Sequence, residues 1–291
     1  MKGWSLLGVP VYTIARYMGM GEAPSALREA GLPRAMGASE DLGDVQLPDL
    51  PADVVEGGLK NLAHFKQSTS IAYRATRSVD ADRLVVLGGE CSETVGVMAG
   101  LAEAFGGKAG MLWMDAHGDF NVPESSPSGF IGGMCLAMAA GRTPGLGLLP
   151  GAPPVTDARL VHVGSRALDP PEAEAFRSSR ARLITSQQLR ERGAVDAAME
   201  AAAHLEANSD WIACHLDLDV IDPEVIQAVN YPEPGGLGLE ETSAVIRAVM
   251  KTGMVRLLEV TAYNPSLDPR GDSIGAIMRL LGGVFGQPAT R

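Results

Sequence analysis

The chain has 291 residues, 46% of them hydrophobic and 20% charged, which is long and apolar enough to bury the core of a large globular domain. Its formal net charge of −11 argues against a nucleic-acid partner, because binding a polyanion requires a basic surface. No apolar run reaches the roughly 18 residues that span a bilayer, and three scattered cysteines argue against a disulfide framework. We therefore expect a cytoplasmic protein that binds neither membranes nor nucleic acid.

Short apolar runs alternate along the chain with longer Ala-rich stretches. We predict strands at Ser5–Val9, Leu84–Leu87, Met111–Met114, Leu160–Val163, Trp211–Leu218 and Val255–Val260. Helices are predicted between them at Leu101–Ala104, Pro171–Arg180, Val195–Ala207 and Glu240–Lys251. Strands separated by helices are typical of an α/β fold with a parallel sheet covered on both faces. We predict a single domain over residues 1–291, in which the Pro- and Gly-rich segments Thr143–Pro154 and Asn230–Gly238 are surface loops.

Polar clusters follow three of the predicted strands. Gly88–Ser92 comes directly after the strand at 84–87, Asp115–Asp119 after the strand at 111–114, and His215–Pro223 extends the strand that begins at Trp211. In open parallel sheets, ligands bind beyond the carboxyl ends of the strands. We therefore expect the three clusters to meet at one edge of the sheet.

The spacing of the acidic residues points to metal ions. Asp115, His117 and Asp119 lie two residues apart, so they face one side of an extended chain, and Asp217 and Asp219 repeat that spacing. An isolated Asp-x-Asp is more often a turn or a helix cap. Four carboxylates at one place would repel each other unless cations lay between them. Oxygen ligands with one imidazole suit Mn, Fe, Zn or Ni, with Mn favoured, and a pair of such ions can activate water for hydrolysis.

These motifs resemble those of a known enzyme family. Asp115–Asp119 resembles the Asp-Ala-His-x-Asp signature of the arginase, agmatinase and formiminoglutamase family, and Asp217–Pro223 is similar to its Asp-x-Asp-x-x-Asp-Pro element. Gly88–Ser92 resembles its Gly-Gly-Asp-His-Ser element, with Cys91 in place of the His. The resemblance implies a three-layer αβα sandwich around a mainly parallel eight-stranded sheet. It also implies two Mn²⁺ ions, a small guanidino substrate and a homo-oligomer.

The resemblance also implies a role for each ligand. One ion would be held by Cys91, Asp115, Asp119 and Asp217, and the other by Asp115, His117, Asp217 and Asp219. Because a thiolate is a softer ligand than imidazole, Cys91 opens the site to Zn or Fe. The implied catalytic residues are Asp119 and Glu259, and Glu259 would pair with the guanidinium group of the substrate.

Four further residues fall where arginases hold the amino-acid end of arginine. Asn121 and Ser128 would bind the α-carboxylate, Asp169 the α-ammonium group, and Glu172 follows at the spacing of the family. Each has an ordinary alternative, since Asn121 and Ser128 are common loop residues and Asp169 before Pro170 can cap a helix. If the resemblance holds, the residues favour arginine over agmatine, which has no α-carboxylate.

Two departures leave the substrate open. Gly132 occupies the position at which arginases have a proton-transferring His, and Ala167 replaces an acidic residue near the α-ammonium subsite. The leading hypothesis is hydrolysis of arginine or a close derivative to an ornithine-like amine and urea or a substituted urea. The alternatives are an Nω-hydroxyarginine hydrolase that releases hydroxyurea, an agmatinase- or formiminoglutamase-like hydrolase, and a metal-binding protein without catalytic activity.

Overall fold

The computed structural model describes residues 3–146 and 154–286. The strands are β1 Trp4–Val9, β2 Glu40–Asp44, β3 Val55–Glu56, β4 Leu59–Lys60, β5 Arg83–Gly88, β6 Ala109–Met114, β7 Leu160–Val163, β8 Arg182–Ile184, β9 Trp211–Asp217 and β10 Val255–Thr261. The helices are α1 Ala23–Glu29, α2 Leu32–Ala35, α3 Leu62–Arg77, α4 Glu93–Phe105, α5 Cys135–Ala139, α6 Pro170–Ser178, α7 Ser186–Arg192, α8 Ala194–Asn208, α9 Leu239–Met250 and α10 Asp272–Val284. Short 3₁₀ turns lie at Ala15–Glu22, Gly132–Met134, Pro144–Leu146, Asp157–Arg159, Leu218–Val220 and Pro265–Leu267.

Eight of the strands form one sheet in the order β2-β1-β5-β10-β9-β6-β7-β8. Every pair of neighbours in it is parallel. β3 and β4 form a separate antiparallel hairpin. The predicted α/β class and the eight-stranded sheet are therefore confirmed. Because the central neighbours β5, β10, β9 and β6 all end at the same edge, the segments that follow them are brought together.

Helices cover both faces of the sheet. Successive side chains of a strand point to opposite faces, and both sets are buried in the central strands. In β5, Val85 and Leu87 pack into one core, and Leu84 and Val86 pack into the other. The first core contains apolar residues of α1, α2 and α7 to α10, and the second contains those of α3 to α6. The three predicted layers are thus present, with one apolar core on each face of the sheet.

All six predicted strands are present, but two strands of the sheet were not predicted. β2 is exposed along its whole length and reads Glu-Asp-Leu-Gly-Asp, so it has no apolar pattern. β2 pairs with β1 through its backbone, and the guanidinium group of Arg28 in α1 binds the carboxylates of Asp41 and Asp44, which ties this edge strand to the helix as well. β8 has only three residues.

Of the two predicted loops, one can be compared with the structure in full and the other only in part. Asn230–Gly238 contains no helix or strand, whereas part of Thr143–Pro154 lies outside the described residues. Within the described ranges, no helix has both the length and the apolar character needed to cross a membrane. The extent of the single domain over residues 1–291 stays a prediction.

Candidate metal centre

The predicted site residues gather where the central strands end. Asp115 directly follows β6, Asp217 is the last residue of β9, and Cys91 lies between β5 and α4. β9 lies beside β6, and β10 separates β9 from β5. The parallel register of these strands therefore brings together side chains that are more than 100 residues apart in sequence, as the direct contact between Cys91 and Asp217 shows.

Three side chains form what we call the acidic donor group: Asp115, His117 and Asp219, whose ligand atoms all lie within 4.8 Å of one another. The Nδ1 atom of His117 is 2.9 Å from Oδ2 of Asp219 and 3.5 Å from Oδ1 of Asp115. Backbone N–H groups fix the two carboxylates, since Ala116 donates to Asp219 and His117 donates to Asp115. The loop after β6 thus shapes this donor group.

Four side chains form a second set, the thiol donor group: Cys91, Asp115, His215 and Asp217, again with ligand atoms within 4.8 Å of one another. The thiol of Cys91 is 2.9 Å from Oδ2 of Asp217, and the N–H of Asp219 donates to Oδ1 of Asp217 at 2.7 Å. Asp115 belongs to both groups. Sequence reasoning did not assign His215 as a ligand, although it lies two residues before Asp217 in the same strand and so faces the same side.

The carboxylates of the site repel one another. Burial, together with repulsion from neighbouring carboxylates, raises the pKa of Asp119 and of Asp217 well above the ordinary value. Burial and the charge of Asp217 likewise raise the pKa of the Cys91 thiol. Burial alone would lower the pKa of His117, but its hydrogen bonds to Asp115 and Asp219 raise it to about 12. A site that requires protons to reduce its own repulsion fits divalent cations, which would replace those protons.

Asp119 was predicted to bind a metal, and the structure places it on the wall of the adjoining cavity and outside both donor groups. Its backbone has a left-handed φ of 48°, unusual for a residue other than Gly. The Asp119 carbonyl oxygen accepts a hydrogen bond from the N–H of Ala137 in α5, which ties the turn down. The negative charges of Asp115 and Asp217 nevertheless act on its buried carboxyl group.

A cavity of about 480 Å³ opens beside the donor groups and is lined by all four of the predicted substrate residues Asn121, Ser128, Asp169 and Glu172. The side-chain amide of Asn121 donates to the carboxylate of Asp169 at 2.9 Å. Glu172 accepts hydrogen bonds from the N–H groups of Phe120 and Asp169, both at 2.9 Å. Glu172 therefore holds this wall together, while the Asp169 carboxylate lines the cavity at the start of α6.

The structure does not support the predicted role of Glu259. Its side chain is completely buried in β10 and does not line the cavity. Its Oε2 atom is 2.6 Å from Nδ1 of His215 and accepts a hydrogen bond from the hydroxyl of Thr94. The reason is the strand register, which places Glu259 opposite His215 inside the sheet, two positions before β10 ends. Ala262 lines the cavity just beyond that end.

Aromatic rings line the cavity near Gly132 and His117. A β-carbon at Gly132 would lie 2.3 Å from the ring of Phe130, so this ring fills the space that a larger side chain would need. The ring of Tyr231 lies 5.8 Å from that of Phe130 and 6.1 Å from that of His117. Sequence reasoning predicted neither Phe130 nor Tyr231 as a site residue.

The described lining of the cavity is strongly acidic. It includes eight carboxylate side chains, those of Glu90, Asp115, Asp119, Asp169, Glu172, Asp217, Asp219 and Glu233, and a single Lys or Arg, which is Arg166. The guanidinium group of Arg166 donates to backbone carbonyl groups of Gly164, Asp219, Val220 and Glu233. This cation therefore holds loops in place, and the cavity as a whole favours a cationic ligand.

Comparisons with known proteins identify the family of the chain. A profile described as the Arginase family matches residues 2–285. An arginase of Bacillus caldovelox is 32% identical over 297 aligned residues that cover 99% of each chain, and an arginase of Bacillus subtilis (strain 168) is 30% identical with 98% of each chain covered. The native structure of the Bacillus caldovelox arginase at pH 5.6 superposes with a TM-score of 0.91 and 30% identity over the whole of both chains. The chain therefore belongs to the arginase family of hydrolases.

Proposed function

We propose that this protein hydrolyses the C–N bond of a linear amidine, with arginine or a close derivative as substrate. The observation that carries the proposal is the acidic cavity, whose lining has eight carboxylates: those of Asp115, Asp217 and Asp219 belong to the two donor groups, and five lie outside them. Two divalent cations would supply the polarisation and the water activation that hydrolysis of such a bond requires. Hydrolysis would release an ornithine-like amine and urea or a substituted urea.

The residues of the chain would bind and orient the substrate. Asn121 and Ser128 offer polar groups for an α-carboxylate, and the carboxylate of Asp169 suits an α-ammonium group. Asp119, whose carboxylate lines the cavity, would accept a hydrogen bond from the water that reacts. The aromatic rings of Phe130 and Tyr231 would cover the substrate and exclude other water.

Nω-hydroxyarginine is a second candidate, favoured by the placement of Glu259 and Ala262. Glu259 is buried against His215, and Ala262 presents no charge where β10 ends at the cavity. A hydroxylated guanidine is less basic than arginine and so depends less on a paired carboxylate. Hydrolysis of this substrate would give ornithine and hydroxyurea.

The test is turnover of a defined panel by protein loaded with Mn²⁺ or Zn²⁺. The panel contains arginine, Nω-hydroxyarginine, agmatine and formiminoglutamate, and the released amines, ureas and amides are quantified by mass spectrometry. We expect turnover of arginine or its hydroxylated derivative to exceed that of agmatine by at least 10-fold, because agmatine lacks the carboxylate that Asn121 and Ser128 would bind. A preference for agmatine would contradict the proposal that Asn121 and Ser128 bind the α-carboxylate of the substrate.

Two variants control the assay. Asp115→Asn removes the carboxylate shared by both donor groups and should abolish turnover. Asp210→Asn changes a carboxylate whose hydrogen bond to the N–H of Lys108 lies outside the donor groups and the cavity lining, and it should leave turnover unchanged. Tight binding of metal with no turnover of any compound would instead support a non-catalytic protein.

A further inference from the structure

His215 has an environment unlike that of the other described histidines. It is buried and lies flat against Trp113, with the ring centroids 3.7 Å apart and an interplanar angle of 10°. Glu259 and Thr94 contact its Nδ1 atom at 2.6 Å and 3.1 Å. These contacts fix the position and the orientation of the imidazole ring before any ligand binds.

The same contacts determine which nitrogen is free. A carboxylate only accepts hydrogen bonds, so the Nδ1 atom of His215 carries the hydrogen that is donated to Glu259. In the neutral ring, the Nε2 atom then has a lone pair. The one hydrogen-bond contact of Nε2 in the described structure is a long one of 3.5 Å to the hydroxyl of Thr261, and that hydroxyl also lies 3.6 Å from the sulfur of Cys91. Nε2 therefore points toward the thiol donor group.

We propose that His215 is a metal ligand, whose Nε2 atom completes a site with Cys91, Asp115 and Asp217. The inference rests on the proposed metal-dependent function and adds to it a residue that the family motifs do not predict. A histidine that donates its other N–H to a carboxylate is the usual arrangement around protein-bound metals, because the carboxylate orients the ring and raises its basicity. Glu259 would thus be a positioning residue beneath the metal.

This ligand set changes the expected metal. The acidic donor group offers two carboxylates and one imidazole, which suit Mn²⁺. The thiol donor group offers a thiolate, an imidazole and two carboxylates, and nitrogen and sulfur ligands favour Zn²⁺ or Fe²⁺. The two halves of the centre would therefore differ in selectivity, with the softer ion on the side of Cys91.

The direct test uses the unaltered protein loaded with Zn²⁺. X-ray absorption at the zinc edge counts imidazole ligands, and we expect two for each pair of zinc ions, one from His117 and one from His215. A single imidazole for each pair, with both ions bound, would overturn the proposal. Dialysis against equal concentrations of Zn²⁺ and Mn²⁺ should fill one of the two positions with Zn²⁺ at a preference of at least 10-fold.

Two variants separate ligation from a purely structural role. His215→Gln should bind one fewer ion per chain, whereas His162→Gln should keep both ions, because His162 is an equally buried residue of β7 outside both donor groups. Glu259→Gln leaves the imidazole in place and should weaken the binding of one ion by about 10- to 100-fold. Unchanged stoichiometry and affinity in both His215→Gln and Glu259→Gln would overturn the proposal. If His215→Gln does not fold, Glu259→Gln and the unaltered protein decide the question.

These outcomes are independent of the substrate assay. Two imidazoles for each metal pair without turnover of any guanidino compound would contradict the proposed function and leave the ligand assignment standing. Turnover of arginine by a protein with a single imidazole for each metal pair would support the proposed function and contradict the assignment of His215 as a ligand.

Discussion

Asp217→Asn should raise the stability of the protein without metal and reduce the stabilisation that bound metal ions add. The Asp217 carboxylate is buried, and burial and repulsion from Asp219 and Asp115 raise its pKa well above the ordinary value. An amide has the same shape without the charge, and its oxygen can still accept the hydrogen bond from the N–H of Asp219. We therefore expect the metal-free variant to be more stable than the metal-free wild type, while its response to metal becomes smaller.

The size of the metal response follows from linkage. A bound ion at a free concentration 100-fold above its Kd stabilises the folded state by about 2.7 kcal/mol. With an unfolding entropy of about 2.1 cal/mol/K per residue over 291 residues, this corresponds to a rise in Tm of about 4 °C for each ion. The wild type should thus gain about 8 to 9 °C when two ions bind. Asp217→Asn should gain about 4 °C or less, because its thiol donor group has lost a charged ligand.

Differential scanning calorimetry measures this directly, with chelator-treated protein titrated against Mn²⁺ and Zn²⁺. Asp222→Asn is the matched control, since Asp222 lies in the same motif and accepts N–H groups of Glu224, Gly235 and Gly236 outside the donor groups. It should lower Tm equally with and without metal. The reasoning is refuted if metal-free Asp217→Asn melts below the wild type and still gains the full metal response.

Three further predictions concern the surroundings of the site. Burial lowers the pKa of His162 to about 4, so below about pH 6.5 the unfolded chain binds a proton at this residue that the folded chain does not; His162 should therefore lower the stability of the wild type by about 3 kcal/mol between pH 6.5 and pH 4, measured as the difference between urea unfolding of the wild type and of His162→Leu over that range. Gly132→Ala forces the Phe130 ring to move, so it should cost about 1 kcal/mol of stability and change KM more than kcat in steady-state assays. Arg166→Lys replaces the guanidinium group that holds Glu233, so it should cost about 2 kcal/mol and raise KM, with metal content unchanged by elemental analysis.

The central strands of the fold could be predicted from local sequence. The runs that become β5, β6, β9 and β10 are mostly apolar because helices cover both faces of the sheet, and this pattern can be recognised within each run. The edge strand β2 could not be predicted, because it is exposed and acidic and its side-chain contacts with Arg28 come from a separate helix. Edge strands gain little from burial, so their sequences need not be apolar.

The candidate site, like the fold, could be predicted only in part. Asp115, His117, Asp217 and Asp219 were predicted because each lies at or just beyond the end of a recognisable strand, and parallel strands end at a common edge. The placement of Glu259 could not be predicted, because it depends on how β10 is aligned with β9. That alignment pairs Glu259 with His215 and Thr261 with Asp217, so the carboxylate lies below the site.

The sequence by itself therefore determined the layered α/β architecture and the gathering of carboxylates at one edge, because both follow from periodicity and chain direction. Only the tertiary structure decided which side chains face the cations and which support them. Register between strands and the packing of rings such as Trp113 on His215 arise from contacts between distant segments. A single position of shift along a strand exchanges its two faces, so no local pattern contains that information.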